Sequence, residues 1–112
     1  PILSVLVASL VVKSAWRLVS DSIHVLLQAV PRGLDADAAL NDLKSIDGID
    51  DADHFHAWTL TDESVVATIH VTPQAGVDPF TLPPLVARHL RTNYSIDHVT
   101  VQVDPPGHIV KP

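Results

Sequence analysis

The hydrophobic pattern changes character twice along the chain. From Ile2 to Val12 there is no charge, and apolar side chains fall on every face of a helix instead of one stripe. A helix that is apolar all round needs an apolar solvent on all sides. A full membrane span takes ~20 such residues. The run reaches that length by passing through Lys13, whose stem can snorkel, and Trp16-Arg17, an interfacial anchor pair. The pattern predicts one transmembrane helix over residues 1–20. A signal-peptide core and a buried helix of a soluble protein give similar runs, but a signal peptide carries its positive charge before the apolar stretch and this chain carries it after. Residues 22–30 predict a short continuation or an interfacial helix that Pro31 ends, with His24 at headgroup level.

Past Gly33 the rhythm becomes amphipathic. Asp35 is a good N-cap for a helix with Ala36, Ala39, Leu40, Leu43 and Ile46 on one face and Gly48 just past its end. Residues 52–60 and 65–72 alternate as strands around a polar hairpin loop at 61–64. Residues 72–76 read as a loop. Thr81 can cap a second helix with Pro83 and Pro84 in its first turn and Leu85, Val86 and Leu90 buried. Residues 97–103 predict a third strand, ended by Asp104-Pro105-Pro106-Gly107. The order α-β-β-α-β predicts a small α+β sandwich, its two helices covering one face of a three-stranded sheet. The other face is left bare, so a partner surface is expected there.

Composition narrows the classes. The chain has 112 residues, enough for about one domain, and 46% are apolar, too many for a disordered segment. Residues 1–33 carry three basic residues and one acidic, a net of +2, whereas residues 34–112 carry 4 basic and 12 acidic, a net of −8. Such acidity excludes a nucleic-acid binder, which needs basic surface. The absence of Cys excludes a disulfide scaffold, a thiolate zinc finger and a Cys nucleophile. The absence of Met, with Pro1 first, leads us to expect a piece of a longer protein. Lys13, Arg17 and Arg32 after the apolar run place the C-terminal side in the cytoplasm. With only 4 Gly and no phosphate cradle, a nucleotide-type sensing domain lacks support. An enzyme is not expected, because no nucleophile–base pair is visible and a half-sandwich lacks an enclosed pocket.

The bare face carries the chemistry. Strand side chains alternate between faces. Val99, Val101 and Val103 turn toward the helices, leaving His98, Thr100, Gln102 and Asp104 opposite. In the second strand Val65, Ala67, Ile69 and Val71 leave Val66, Thr68 and His70 opposite. In the first, Asp53, Phe55, Ala57 and Thr59 alternate with His54, His56 and Trp58. A three-residue hairpin loop sets His54 opposite His70; a one-residue change of register substitutes Asp53. Either way His, Asp and Gln from three strands share one face. Imidazole with carboxylate suits Zn²⁺ or a similar divalent ion, bound to neutral His and weakened as pH drops through ~6.5. Trp58 is expected to pack on a partner. His89 reads as structural, His108 as part of a tail over 107–112, and Asp47, Asp50, Asp51 and Asp53 as a solvated acidic loop that favours cations.

These residues fit a known pattern. The chain resembles the C-terminal end of cation diffusion facilitator transporters. Pro1-Ile2 with its apolar run and Ser14-Ala15-Trp16-Arg17-Leu18 resemble the last transmembrane helix of that family. Asp21-Ser22 and Leu26-Leu27-Gln28-Ala29-Val30-Pro31 resemble its linker, with Gln28 where Glu is usual. His56-Ala57-Trp58 is similar to its H-x-W element and Ile69-His70-Val71 to its second-strand histidine. His98-Val99-Thr100-Val101-Gln102-Val103-Asp104 is similar to H-x-T-[IV]-Q-x-[ED]. The resemblance implies a multi-pass cell-membrane exporter of Zn²⁺ or Cd²⁺, Co²⁺, Ni²⁺, Mn²⁺ or Fe²⁺, working as a proton-coupled homodimer. It implies a last transmembrane helix over 1–20, a linker over 21–33 and a cytoplasmic domain over 34–106. That domain would be a metallochaperone-like sandwich, half of a ferredoxin-like fold, that dimerises and binds regulatory metal. His70 and Asp104 occupy the family's ligand positions. Some bacterial members have His where this chain has Asp53, Gln102 and Phe80: Asp53 can still ligate, Gln102 only weakly, and Phe80 not at all. His54, His56, His98 or water are then available to complete the coordination. The competing expectation is a dimerisation module with no regulatory metal site.

Overall fold

A computed structural model describes residues 1–61 and 63–107. Helix α1 runs from Ile2 to Leu26, α2 from Ala36 to Lys44, β1 from Ile49 to Thr61, β2 from Ser64 to Pro73, α3 from Leu82 to Tyr94 and β3 from His98 to Val103. His108 and the tail from residue 108 onward lie outside the described residues, as does Asp62 of the hairpin loop.

Helix α1 absorbs the segment expected as its continuation. Its 25 residues measure about 38 Å at 1.5 Å per residue, against a hydrocarbon core of ~30 Å. None of its residues is buried against the rest of the chain. The helix stops before Pro31, because Gln28 takes a left-handed backbone with φ 50°. The chain then turns back, and Arg32 Nη1 donates to Asp21 Oδ1 at 3.1 Å.

Helix α2 starts as expected: Asp35 Oδ1 accepts from Ala38 N at 3.0 Å, and Ala39 and Leu43 are fully buried. Gly48 (φ 96°) makes the left-handed turn into β1. The start of α3 differs from expectation. Thr81 makes no side-chain cap; Asp78 Oδ1 accepts from Phe80 N, and Thr81 Oγ1 donates back to Asp78 O at 2.7 Å. A 3₁₀ turn over Pro79–Thr81 thus precedes the helix. The buried stripe of α3 is Leu82, Val86 and Leu90, with Leu85 only half-buried.

The sheet order is β1-β2-β3. β2 runs antiparallel to β1 and parallel to β3, which it reaches through α3. Ala67, Ile69 and Val71 of β2 meet Leu43, Leu82, Val86 and Leu90 in one core, so both helices cover the same face. Ile96, just past α3, is also fully buried and seals the core at the entry to β3. Asp97 locks that end by exchanging main-chain and side-chain hydrogen bonds with Val65.

A bulge in β1 sets the outer face. Asp53 pairs with His70, but His56 pairs with Thr68, so His54 and Phe55 together oppose Ile69. His54 takes φ 49°, the left-handed region that a bulge demands. Strict alternation would have put Asp53 on the apolar side with Phe55 and Ala57. The extra residue reverses the phase, so Ala52 and Ala57 are both buried while Asp53 turns out with His56 and Trp58.

Candidate metal centre

The outer face is organised in rows across the strands. Asp53, His70 and Gln102 form one row, since Asp53 pairs with His70 and His70 with Gln102. The next row is His56, Thr68 and Thr100, and the third is Trp58, Val66 and His98. Of the two registers left open by the sequence, the one setting Asp53 opposite His70 is found. His54 is still close, because the bulge swings it back: its ring centroid lies 5.0 Å from that of His70, and its Nδ1 lies 3.2 Å from Asp53 Oδ1.

Asp53, His54 and His70 each offer a ligand atom, and these atoms lie within 4.8 Å of one another. Donors around a tetrahedral zinc with bonds near 2.0–2.1 Å sit about 3.4 Å apart. The set therefore fits a small divalent ion after modest rotations of exposed or half-buried side chains. Asp104, expected on the polar side of β3, is nearly fully buried (6% exposed) at the strand's exit. Its N–H donates to Val71 O at 2.8 Å, which brings its carboxylate beside β2. There Asp104 Oδ2 faces His70 Nδ1 at 3.1 Å, and Gln102 Nε2 donates to Oδ1 at 2.8 Å. An Nδ1–H tautomer of His70 would donate to Asp104 and leave Nε2 as a free lone pair. That carboxylate–imidazole relation orients a metal ligand and raises its basicity.

The remaining candidates sit elsewhere. His56 is one row away, two residues along the sheet from the level of His70, in a hollow with Gln28, Val30, Trp58 and Thr68. His98 is two rows away, four residues along β3 from Gln102, or roughly 13 Å at 3.3 Å per residue. Neither joins the cluster as placed, because alternation fixes only the face and not the level along it. Phe80 stands 86% exposed in the 3₁₀ turn that precedes α3. Of the acidic run, Asp51 is occupied: Lys44 Nζ lies 2.9 Å away and holds its carboxyl below the usual carboxylate range, despite partial burial. His89 is structural, as expected, with Nε2 2.6 Å from Asp42 Oδ2. Tyr94 Oη donates to the same oxygen at 3.1 Å, which ties α3 to α2.

Sequence reasoning missed the bulge, the role of Gln102 and the Asp21–Arg32 link. A signal for the first was present: a strand face mixing Asp53 with Phe55 and Ala57 conflicts with burial, and a bulge resolves it. The other two depend on how loops return, which periodicity does not encode.

Residues 31–106 match the family described as cation efflux protein, cytoplasmic domain. The chain belongs to the cation efflux family. It is 36% identical over 105 residues to the zinc transporter ZitB of Escherichia coli, covering 93% of this chain and 33% of that protein. It is 28% identical over 88 residues to metal tolerance protein 1 of Oryza sativa, covering 79% of this chain and 21% of that protein. The metal-bound C-terminal domain of the CzcD transporter from Cuprividus metallidurans superposes with a TM-score of 0.58 at 25% identity, over 63% of this chain and 99% of that one. The chain thus spans about a third of the length of the zinc transporters it matches.

Proposed function

We propose that this chain is the membrane-anchored C-terminal part of a divalent-cation exporter, and that its sheet domain is a non-enzymatic, metal-responsive dimerisation module. One observation carries the reading: Asp53, His54 and His70 present ligand atoms within 4.8 Å on the sheet face opposite the one that α2 and α3 cover. Asp104 and Gln102 would orient that set. Zinc is the first candidate ion because the relatives are zinc transporters by name; Cd²⁺, Co²⁺, Ni²⁺, Mn²⁺ and Fe²⁺ remain alternatives for such donors. Helix α1 would cross the membrane, with the domain in the cytoplasm on the positive-inside rule.

Two copies meeting through their open faces would bring together two acidic domains. Residues 34–112 carry 4 basic and 12 acidic residues per copy, so like-charge repulsion opposes closure. A site that binds cations more tightly in the closed pair than in the open one shifts the population toward closure, by the difference in affinity and no more. Calorimetry with Zn²⁺ and small-angle scattering on the chain in detergent micelles test this. We expect saturable binding that Asp53→Ala with His70→Ala abolishes, and a more compact dimer at saturation. Binding left intact in the double variant would refute the site, and an unchanged scattering profile would leave a dimerisation module without a switch.

A further inference from the structure

Where α1 meets the sheet domain, Lys13, Arg17, Asp21 and His24 follow one another at spacings of four, four and three residues, so they share one helix face. The returning linker adds Arg32. Between them lies a cleft of about 480 Å³ whose walls include Arg17, Asp21, His24, Pro31, Arg32 and Thr59. Two guanidiniums here face one carboxylate. Arg32 reaches Asp21 at 3.1 Å, whereas Arg17 Nε is 3.9 Å away and its side chain is 87% exposed. Among the described residues that line the cleft, Asp21 is thus the one carboxylate against two guanidiniums. His24 Nε2 is shielded from solvent and has no hydrogen-bond partner among the described residues. Planar, multidentate guanidinium donors suit a compact anion rich in acceptor oxygens. The cleft opens at the foot of a helix whose apolar side chains are exposed on every side, the depth at which lipid phosphates lie.

We infer that this cleft binds the phosphate of an anionic phospholipid, gripped by Arg17 and Arg32. The inference rests on the membrane reading of α1 given above. Asp21 is then the competing anion: it holds Arg32 in place but opposes the phosphate.

Native mass spectrometry of the 112-residue chain, released from phosphatidylcholine vesicles with or without a minor fraction of phosphatidylglycerol, tests the site. The expected result is one phosphatidylglycerol retained per chain in preference to phosphatidylcholine. Arg17→Gln with Arg32→Gln should weaken that retention on the order of tenfold, and Arg88→Gln, a cation remote on α3, should leave it unchanged. Asp21→Asn should strengthen it, which a merely structural clasp would not do. Equal retention of the two lipids, an equal loss in the Arg88 variant, or weaker retention in Asp21→Asn overturns the inference. Inorganic phosphate binding as tightly without lipid overturns the lipid assignment. A chain that stays out of both kinds of vesicle instead refutes the membrane reading itself.

Discussion

His70 Nδ1 lies 3.1 Å from Asp104 Oδ2, joining the central strand to the residue that follows β3. Because Asp104 is buried and its other oxygen accepts from Gln102, the carboxylate is fixed and the imidazole is turned by it. Asp104→Ala should lower zinc affinity by about 10–100-fold, the usual effect of removing a ligand's orienting partner. Asp104→Asn should do less, and His70→Ala should abolish binding at the row. Calorimetric titration of the three variants checks the order.

The bulge separates backbone from ligand effects at His54. With φ 49° the position suits Gly better than a branched residue. His54→Gly should leave thermal stability within ~1 kcal/mol of the parent. His54→Val should cost about 1–2 kcal/mol more, because a side chain branched at Cβ is forced into the left-handed region. Both should weaken zinc binding to a similar extent. Urea unfolding beside zinc titration reads the two effects independently.

Asp42 links acid stability to the helix pair. The hydrogen bond from His89 is the main cause that holds its carboxyl below the ordinary 3.8, reinforced by Tyr94 and opposed by burial. A lowered native pKa means the contribution is present above pH 3.8 and is lost as pH falls through the lower native value. Asp42→Asn should therefore have a lower Tm than the parent at pH 6, and the two should converge below pH 3.8. Circular-dichroism melts across that range show whether they do.

Leu90 is fully buried where α3 meets the sheet. Leu90→Ala should destabilise the domain by about 2–5 kcal/mol through lost transfer energy and a cavity. Leu85→Ala, at a half-buried position, should cost clearly less. Denaturant midpoints compare them.

Much of this architecture was legible from periodicity. The α-β-β-α-β order, the capping by Asp35 and the inward set Ala67, Ile69 and Val71 follow from spacing and burial, because each element satisfies one dominant rule. The site was legible only by face. Alternation identified His54, His56, His70, His98 and Asp104 as companions, but the level of each along its strand depends on register. The parallel pairing of β2 with β3 puts His98 at the far end and Gln102 beside His70. Asp53 reached the outer side through a bulge, which is a local departure from the very rule that sorted the others.

The row of Asp53, His70 and Gln102 and the foot of α1 stand at different levels along β2. Val65 borders the cleft and His70 the row, a separation of five residues, or roughly 17 Å along an extended strand. Hydrogen-bonded strands stretch very little. One continuous hydrogen-bonded strand therefore links the two places, and the paired hydrogen bonds between Asp97 and Val65 tie its near end to the entry of β3.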